Sequence, residues 1–237
     1  MADRELRLAE RRARGPEGAE ALLRQRLRAG HCSGQLVALL ARLGHAGAAR
    51  ALGLAPGGAT GPREWLSALG GGTRRARELH RAVGVRLGLH AACWVFPLWD
   101  EVRGRVEWDG WWGPEGLEAG ALAPLRAALD LLAEWVESPS TEAARRCREL
   151  GDRTLRLVRP PSVPRWVRPR GPGWHLLEAC GTAARLPAAA PWRAELLAAL
   201  EAATRAAQEG WGWTADQAWV ALREAVLAAA AGELLGL

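Results

Sequence analysis

Apolar positions recur at three- and four-residue intervals along almost the whole chain, and Ala, Leu, Arg and Glu dominate the sequence. This spacing is typical of amphipathic helices, and the alternation of apolar and polar residues that marks half-buried strands does not occur. Glycine and proline divide the pattern into about ten to eleven helical segments. We therefore predict an all-α protein, an irregular HEAT-like helical array or bundle without a fixed repeat length.

The predicted helices fall into two domains on either side of a flexible glycine-rich connection at residues 56–61. Residues 1–55 are predicted to form paired α-hairpins, with Ser33 as one N-cap and Gly44 as a stop. Residues 62–237 are predicted to form a helical bundle in which Thr73 and Thr214 cap long helices.

Two stretches of the predicted bundle lack a helical period. The first is a Trp-rich insertion at residues 104–120, after which helix resumes at Pro124. The second is a Pro/Arg-rich loop at residues 159–173. Loops held on a rigid scaffold commonly carry binding residues, so these two stretches are the candidate sites.

The composition limits how far the arginine content can be used to infer function. The chain has 237 residues, and its 32 basic residues are all Arg. It contains 13 Trp but only one Phe and no Tyr, and this bias indicates a GC-rich bacterial genome. Hydrophobic residues make up 49%, enough for one sizeable core or two small ones. Arginine content alone is therefore weak evidence of function.

The sequence also predicts where the protein acts. The amino-terminal residues are charged from the start, and no apolar run approaches the length of about 20 residues that a membrane span needs. Cys32, Cys93, Cys147 and Cys180 are far apart, and we expect reduced thiols. Cys93 is expected to be buried and inert in an apolar helix run, and Cys147 and Cys180 are expected in the core. A cytoplasmic protein that does not bind a membrane is expected.

Charge is segmented along the chain, although the net charge is only +6. Residues 145–170 carry 9 Arg against 2 acids, whereas residues 100–142 carry 3 Arg against 10 acids. The candidate site in the Pro/Arg-rich loop comprises basic and aromatic residues suited to phosphates or acidic protein faces: Arg159, Arg165, Trp166, Arg168 and Arg170. The alternative is that these arginines pair with the acidic 100–142 segment.

The candidate site in the Trp-rich insertion combines aromatic area with negative charge, as an interface hot spot for a basic partner would. It comprises Trp108, Asp109, Trp111 and Trp112. The alternative is that these rings cover helix ends. Trp211 and Trp213 also lie beside glycine and are expected in loops. The tryptophans expected in the core are Trp65, Trp94, Trp99, Trp135, Trp192 and Trp219.

No residue pattern predicts catalysis. The five histidines are scattered, no Cys or His pair has zinc-site spacing, and the glycine-rich stretches contain no lysine for a phosphate loop. We therefore predict no catalytic residues, no metal and no cofactor.

Two regions resemble known proteins. Residues 20–53 resemble the paired-helix module that begins many myxobacterial proteins. Residues 80–150 resemble the helical immunity-protein domain of polymorphic-toxin systems, through Val95-Phe96-Pro97-Leu98-Trp99-Asp100-Glu101, then Pro124-Leu125-Arg126-Ala127-Ala128-Leu129 and Trp135. The insertion at 104–120 and the loop at 159–173 depart from that pattern. The resemblance implies an all-α binding protein.

The sequence thus predicts a non-enzymatic helical protein-binding subunit, an immunity or adaptor protein whose partner is a toxin or a complex subunit. The alternative is a nucleic-acid-associated subunit of a bacterial defence complex that uses the Arg-rich segment 145–170.

Overall fold

A computed structural model describes residues 16–55, 61–98, 115–158 and 171–235 of the chain. For residues 16–19, 115–122 and 157–158 it describes the backbone only. The chain divides into two compact units, one of residues Met1–His80 with Leu227–Leu237 and one of residues Arg81–Val226. The predicted division at residues 56–61 falls almost entirely outside the described residues and stays a prediction.

Ten α-helices make up the described part of the chain, which contains no strand. The prediction of an all-α array of about ten helices is therefore confirmed. The helices are α1 Pro16–Arg28, α2 Gly34–Arg42, α3 Ala46–Ala51, α4 Pro62–Ser67, α5 Arg74–Val95, α6 Glu115–Glu137, α7 Thr141–Val158, α8 Pro172–Arg185, α9 Trp192–Trp211 and α10 Ala215–Leu235, with a 3-10 turn at Leu186–Ala188.

In the first unit, α1 and α2 both pack against α3. The predicted N-cap Ser33 precedes α2 but forms no side-chain capping bond, whereas His45 caps α3 by accepting the Ala48 amide N–H at 3.0 Å on Nδ1. Burial, together with the charge of Arg50, lowers the pKa of His45, so that its imidazole is neutral and able to accept at neutral pH. The Arg26 guanidinium donates to the Leu235 carbonyl at the end of α10, which ties that end into the unit.

In the second unit, α6, α7, α8 and α9 pack successively, each on the next. Thr73 and Ser140 cap α5 and α7 through bonds from the Ala76 and Ala143 amides, as polar residues at these positions predict. Gly84 and Gly88 on α5 lie directly against Trp192 and Leu186, which leaves no room for larger side chains.

Two predicted element boundaries were wrong. Helix α6 begins at Glu115, so residues 115–120 of the predicted insertion are helical and Pro124 lies inside a helix. Seven of the nine residues from 115 to 123 are Ala, Leu or Glu, and their helix propensity outweighs the backbone hydrogen bond that Pro124 cannot donate. The predicted loop 159–173 likewise ends at Gly171, because Pro172 takes the first position of α8, where proline needs no partner for its nitrogen.

The core is built mainly of Leu, Val and Ala, and the tryptophans contribute less than the sequence predicts. Trp65 and Trp219 are buried as predicted, but Trp94, Trp135 and Trp192 are only partly buried, and Trp99 lies outside the described residues. None of the helices in the described ranges has the length and apolar character needed to cross a lipid bilayer.

Candidate functional site

The predicted binding residues lie outside the described parts of the chain. Trp108, Asp109, Trp111 and Trp112 belong to residues 99–114, and Arg159, Arg165, Trp166, Arg168 and Arg170 belong to residues 159–170. These nine assignments stay predictions. The described residues nevertheless contain two surfaces with related chemistry, one aromatic and acidic and one basic.

The aromatic surface is a cluster of three tryptophans. Trp94 near the end of α5 contacts Trp211 edge to face, with ring centroids 5.0 Å apart, and Trp213 lies 5.9 Å from Trp94 and 4.9 Å from Trp211. Trp211 ends α9, a correction to the prediction that it lies in a loop, and Trp213 lies in the short connection to α10. The cluster is therefore held by two helix ends and a tight turn.

The turn that carries Trp213 is fixed on both sides. Gly212 has a φ of 69°, in the left-handed region that favours glycine, and it ends α9 there. Thr214 and Gln217 then form a reciprocal capping box, in which each side chain accepts the other residue's amide N–H, at 3.2 Å and 3.0 Å. This confirms the predicted cap at Thr214 and fixes the start of α10 next to the tryptophans.

A groove continues from the tryptophan cluster along the first three turns of α10. We call it the α10 groove; its volume is about 510 Å³, and it is lined by Trp213, Asp216, Gln217, Val220, Ala221 and Glu224. Trp213 and Val220 leave 37% and 43% of their surface exposed, which is high for large apolar side chains. The groove therefore presents apolar area to its surroundings.

The α10 groove also carries negative charge. Asp216 and Glu224 are both exposed, and neither forms an ion pair with another described residue. Asp216 lies in the first turn of α10, where a carboxylate interacts favourably with the helix dipole. Aromatic area beside unpaired carboxylates is the chemistry that the sequence predicts at residues 108–112.

The basic surface is the carboxyl-terminal end of α7. Arg153 and Arg156 are exposed there on one helix face, and neither forms an ion pair within the described ranges. Nearer the start of the helix, Arg145 pairs with Glu142 and Glu149, and Arg148 lies 3.9 Å from Asp152. The described acids that pair with these α7 arginines thus all belong to α7 itself, while Asp130, Glu134 and Glu137 of α6 form no such pair.

The thiols differ in accessibility. Cys147 and Cys180 are buried, as predicted, and burial raises the pKa of Cys147 to about 11 and raises that of Cys180 further. Both thiols are therefore protonated at neutral pH. The prediction that Cys93 is buried was wrong: its side chain is exposed, because α5 turns this position away from the neighbouring buried residues Ala91, Ala92 and Val95.

No family model, curated protein or solved structure matches this chain.

The sequence contains only part of the signal for the α10 groove. Trp219, which the sequence predicts in the core, is buried together with Leu222 and Val226 on one face of the last helix, whereas Ala229 on that predicted face is only partly buried. The opposite face repeats Trp213, Gln217, Val220 and Glu224 at helical spacing, and this alternation of apolar and polar residues could have indicated a surface. The sequence does not indicate that Trp94, more than a hundred residues earlier, packs against this surface.

Proposed function

We propose that this chain is a non-enzymatic helical protein-binding subunit and that the α10 groove contacts its partner. One observation carries the proposal. Of the four large apolar side chains that the described residues leave exposed, Leu52, Leu54, Trp213 and Val220, two lie together in this groove. Tryptophan is enriched among the residues that dominate binding energy at interfaces.

The fixed geometry of the groove also supports the proposal. Trp213 packs on Trp94 and Trp211, and the capping box fixes the start of α10, so binding orders few further side chains and costs little conformational entropy. An immunity or adaptor role is the form of this function that the resemblance of residues 80–150 suggests. A partner's active site would then be occluded by a charged surface.

We expect Val220→Asp to reduce recovery of the partner about tenfold, because the substitution places a third carboxylate in the apolar centre of the groove. The measurement is affinity purification of the tagged full chain from a related bacterial host, with nuclease treatment and quantitative mass spectrometry. Leu54→Asp is the matched control, since Leu54 is 51% exposed and lies in the other unit. Equal recovery with the wild type and both variants would contradict the proposal.

A second candidate function is nucleic-acid binding through the Arg-rich segment 145–170. The specific observation in its favour is that Arg153 and Arg156 are exposed and lack ion pairs with described residues, so their guanidinium groups are available for phosphates.

For this second function, Arg153→Glu with Arg156→Glu should weaken binding of a fluorescent oligonucleotide and lower the slope of log K against log salt by about 2. Fluorescence anisotropy at roughly 50 to 200 mM salt measures both the affinity and its salt dependence. The double variant Arg75→Glu, Arg77→Glu makes the same change in net charge on exposed positions of α5. If the two double variants behave alike, the α7 surface is not the nucleic-acid site.

A further inference from the structure

We propose that the partner segment bound by the α10 groove is a positively charged amphipathic helix, with two basic residues seven or eight positions apart and apolar residues between them. This inference rests on the proposed function and specifies its partner. It follows from the spacing and the charge of the residues that line the groove.

The charged ends of the groove set the spacing. Asp216 and Glu224 are eight residues apart on one face of α10, which corresponds to about 12 Å along the helix axis. A second helix lying along α10 advances at the same rate per residue. Basic side chains seven or eight positions apart on that helix would therefore each lie opposite one carboxylate.

The apolar centre of the groove sets what lies between the basic residues. Trp213 and Val220 are seven residues apart on the same face as the carboxylates, and the small side chain of Ala221 also lines the groove. Apolar side chains at helical spacing on the partner fit this pattern, as in other complexes in which a helix lies in a groove. A guanidinium opposite Asp216 would also lie close enough to the exposed indole of Trp213 for a cation–π interaction.

The negative charge of the α10 groove disfavours nucleic acid, an acidic helix and a second copy of the chain as occupants. Residues 171–237 carry 4 Arg against 7 acids, so the groove lies in an acidic part of a chain whose net charge is +6. A nucleic-acid backbone or an acidic helix would be repelled by Asp216 and Glu224. A second copy that presented the same groove would place like charges opposite each other.

The test begins with selection of a phage-displayed library of random 16-residue peptides against the immobilised full chain. Clones that also bind the Val220→Asp variant are removed. We expect the remaining peptides to share two Arg or Lys residues seven or eight positions apart with apolar residues between them. A selection that leaves no such peptides, or that enriches neutral or acidic ones, overturns the proposal.

The selected peptide is then synthesised, and its affinity is measured by fluorescence anisotropy. Asp216→Lys with Glu224→Lys should weaken binding about tenfold, since two attractive pairs become repulsive, and a peptide with Glu at the two basic positions should then bind this variant better than the wild type. Asp130→Lys with Glu137→Lys is the matched control, because these exposed carboxylates lie seven residues apart on α6. Equal affinity for the wild type and both variants overturns the proposal.

Failure of this inference can be distinguished from failure of the proposed function. If Val220→Asp abolishes capture of the partner but Asp216→Lys with Glu224→Lys does not, the groove is a protein-binding site whose partner is not basic. If neither variant affects capture, the groove is not the binding site. Self-association that Val220→Asp abolishes, measured by sedimentation, would identify a second copy as the occupant and would also overturn the inference.

Discussion

Replacing Trp65 by alanine is expected to lower the free energy of unfolding by about 3–5 kcal/mol. The Trp65 side chain is 2% exposed, and its indole N–H donates to the Leu43 carbonyl at 2.6 Å. Truncation therefore removes a large buried apolar group and also leaves a buried carbonyl without its partner. The helix that carries Trp65, α4, has six residues and is too short to be stable without such packing.

Urea unfolding followed by circular dichroism measures this loss, and a phenylalanine at position 65 separates its two causes. Trp65→Phe keeps most of the apolar volume but removes the donor, so we expect a loss of about 1–3 kcal/mol, smaller than that of the alanine variant. A Trp65→Ala protein as stable as the wild type would show that Leu43 and Trp65 do not contact each other in solution.

The order and type of the helices could be predicted from the sequence because the signals are local. Thr73, Ser140 and Thr214 each precede a run of helix formers, and each forms the capping bond that its residue type predicts. Where two local signals disagreed, the prediction was wrong. Pro124 alone predicts the start of a helix, whereas the residues before it favour helix strongly enough to include it.

Burial could be predicted only where the periodicity was clear. The face of α10 that carries Trp219, Leu222 and Val226 is buried as its spacing indicates. Apolar character alone was a poorer guide, since Cys93 is exposed within an apolar run and Trp135 is only partly buried, with its indole N–H on the Ser140 carbonyl at 3.1 Å. Aromatic rings with a polar edge often lie at such boundaries.

The candidate groove could not be predicted because it depends on contacts between distant parts of the chain. Trp94 and Trp213 are separated by more than a hundred residues, and nothing in the sequence near either one indicates the other. The charge pattern was more informative. The acidic character of residues 171–237 is evident from the sequence, and the structure adds that Asp216 and Glu224 lie on one exposed face.

The contact between α7 and α8 is also invisible in the sequence, and it leads to a prediction opposite to that of helix propensity. Gly151 lies inside α7 and is buried against α8. A β-carbon at Gly151 would lie 2.6 Å from the Gly181 carbonyl oxygen, and one at Gly181 would lie 2.9 Å from Cγ of Leu155. The two helices therefore approach so closely here that neither position accepts a side chain without moving backbone or core atoms.

We expect Gly151→Ala to lower the free energy of unfolding by about 1–2 kcal/mol and Gly151→Leu by about 3 kcal/mol, because added atoms must separate two helices at a backbone contact. Helix propensity alone predicts a gain of about 1 kcal/mol for the alanine. Gly34→Ala is the matched control: this glycine begins α2 with nothing within 4 Å of an added β-carbon, so the substitution should be neutral or slightly stabilising. Urea unfolding of the three variants measures the difference. If Gly151→Ala and Gly34→Ala stabilise the protein equally, α7 and α8 do not cross at Gly151 and Gly181.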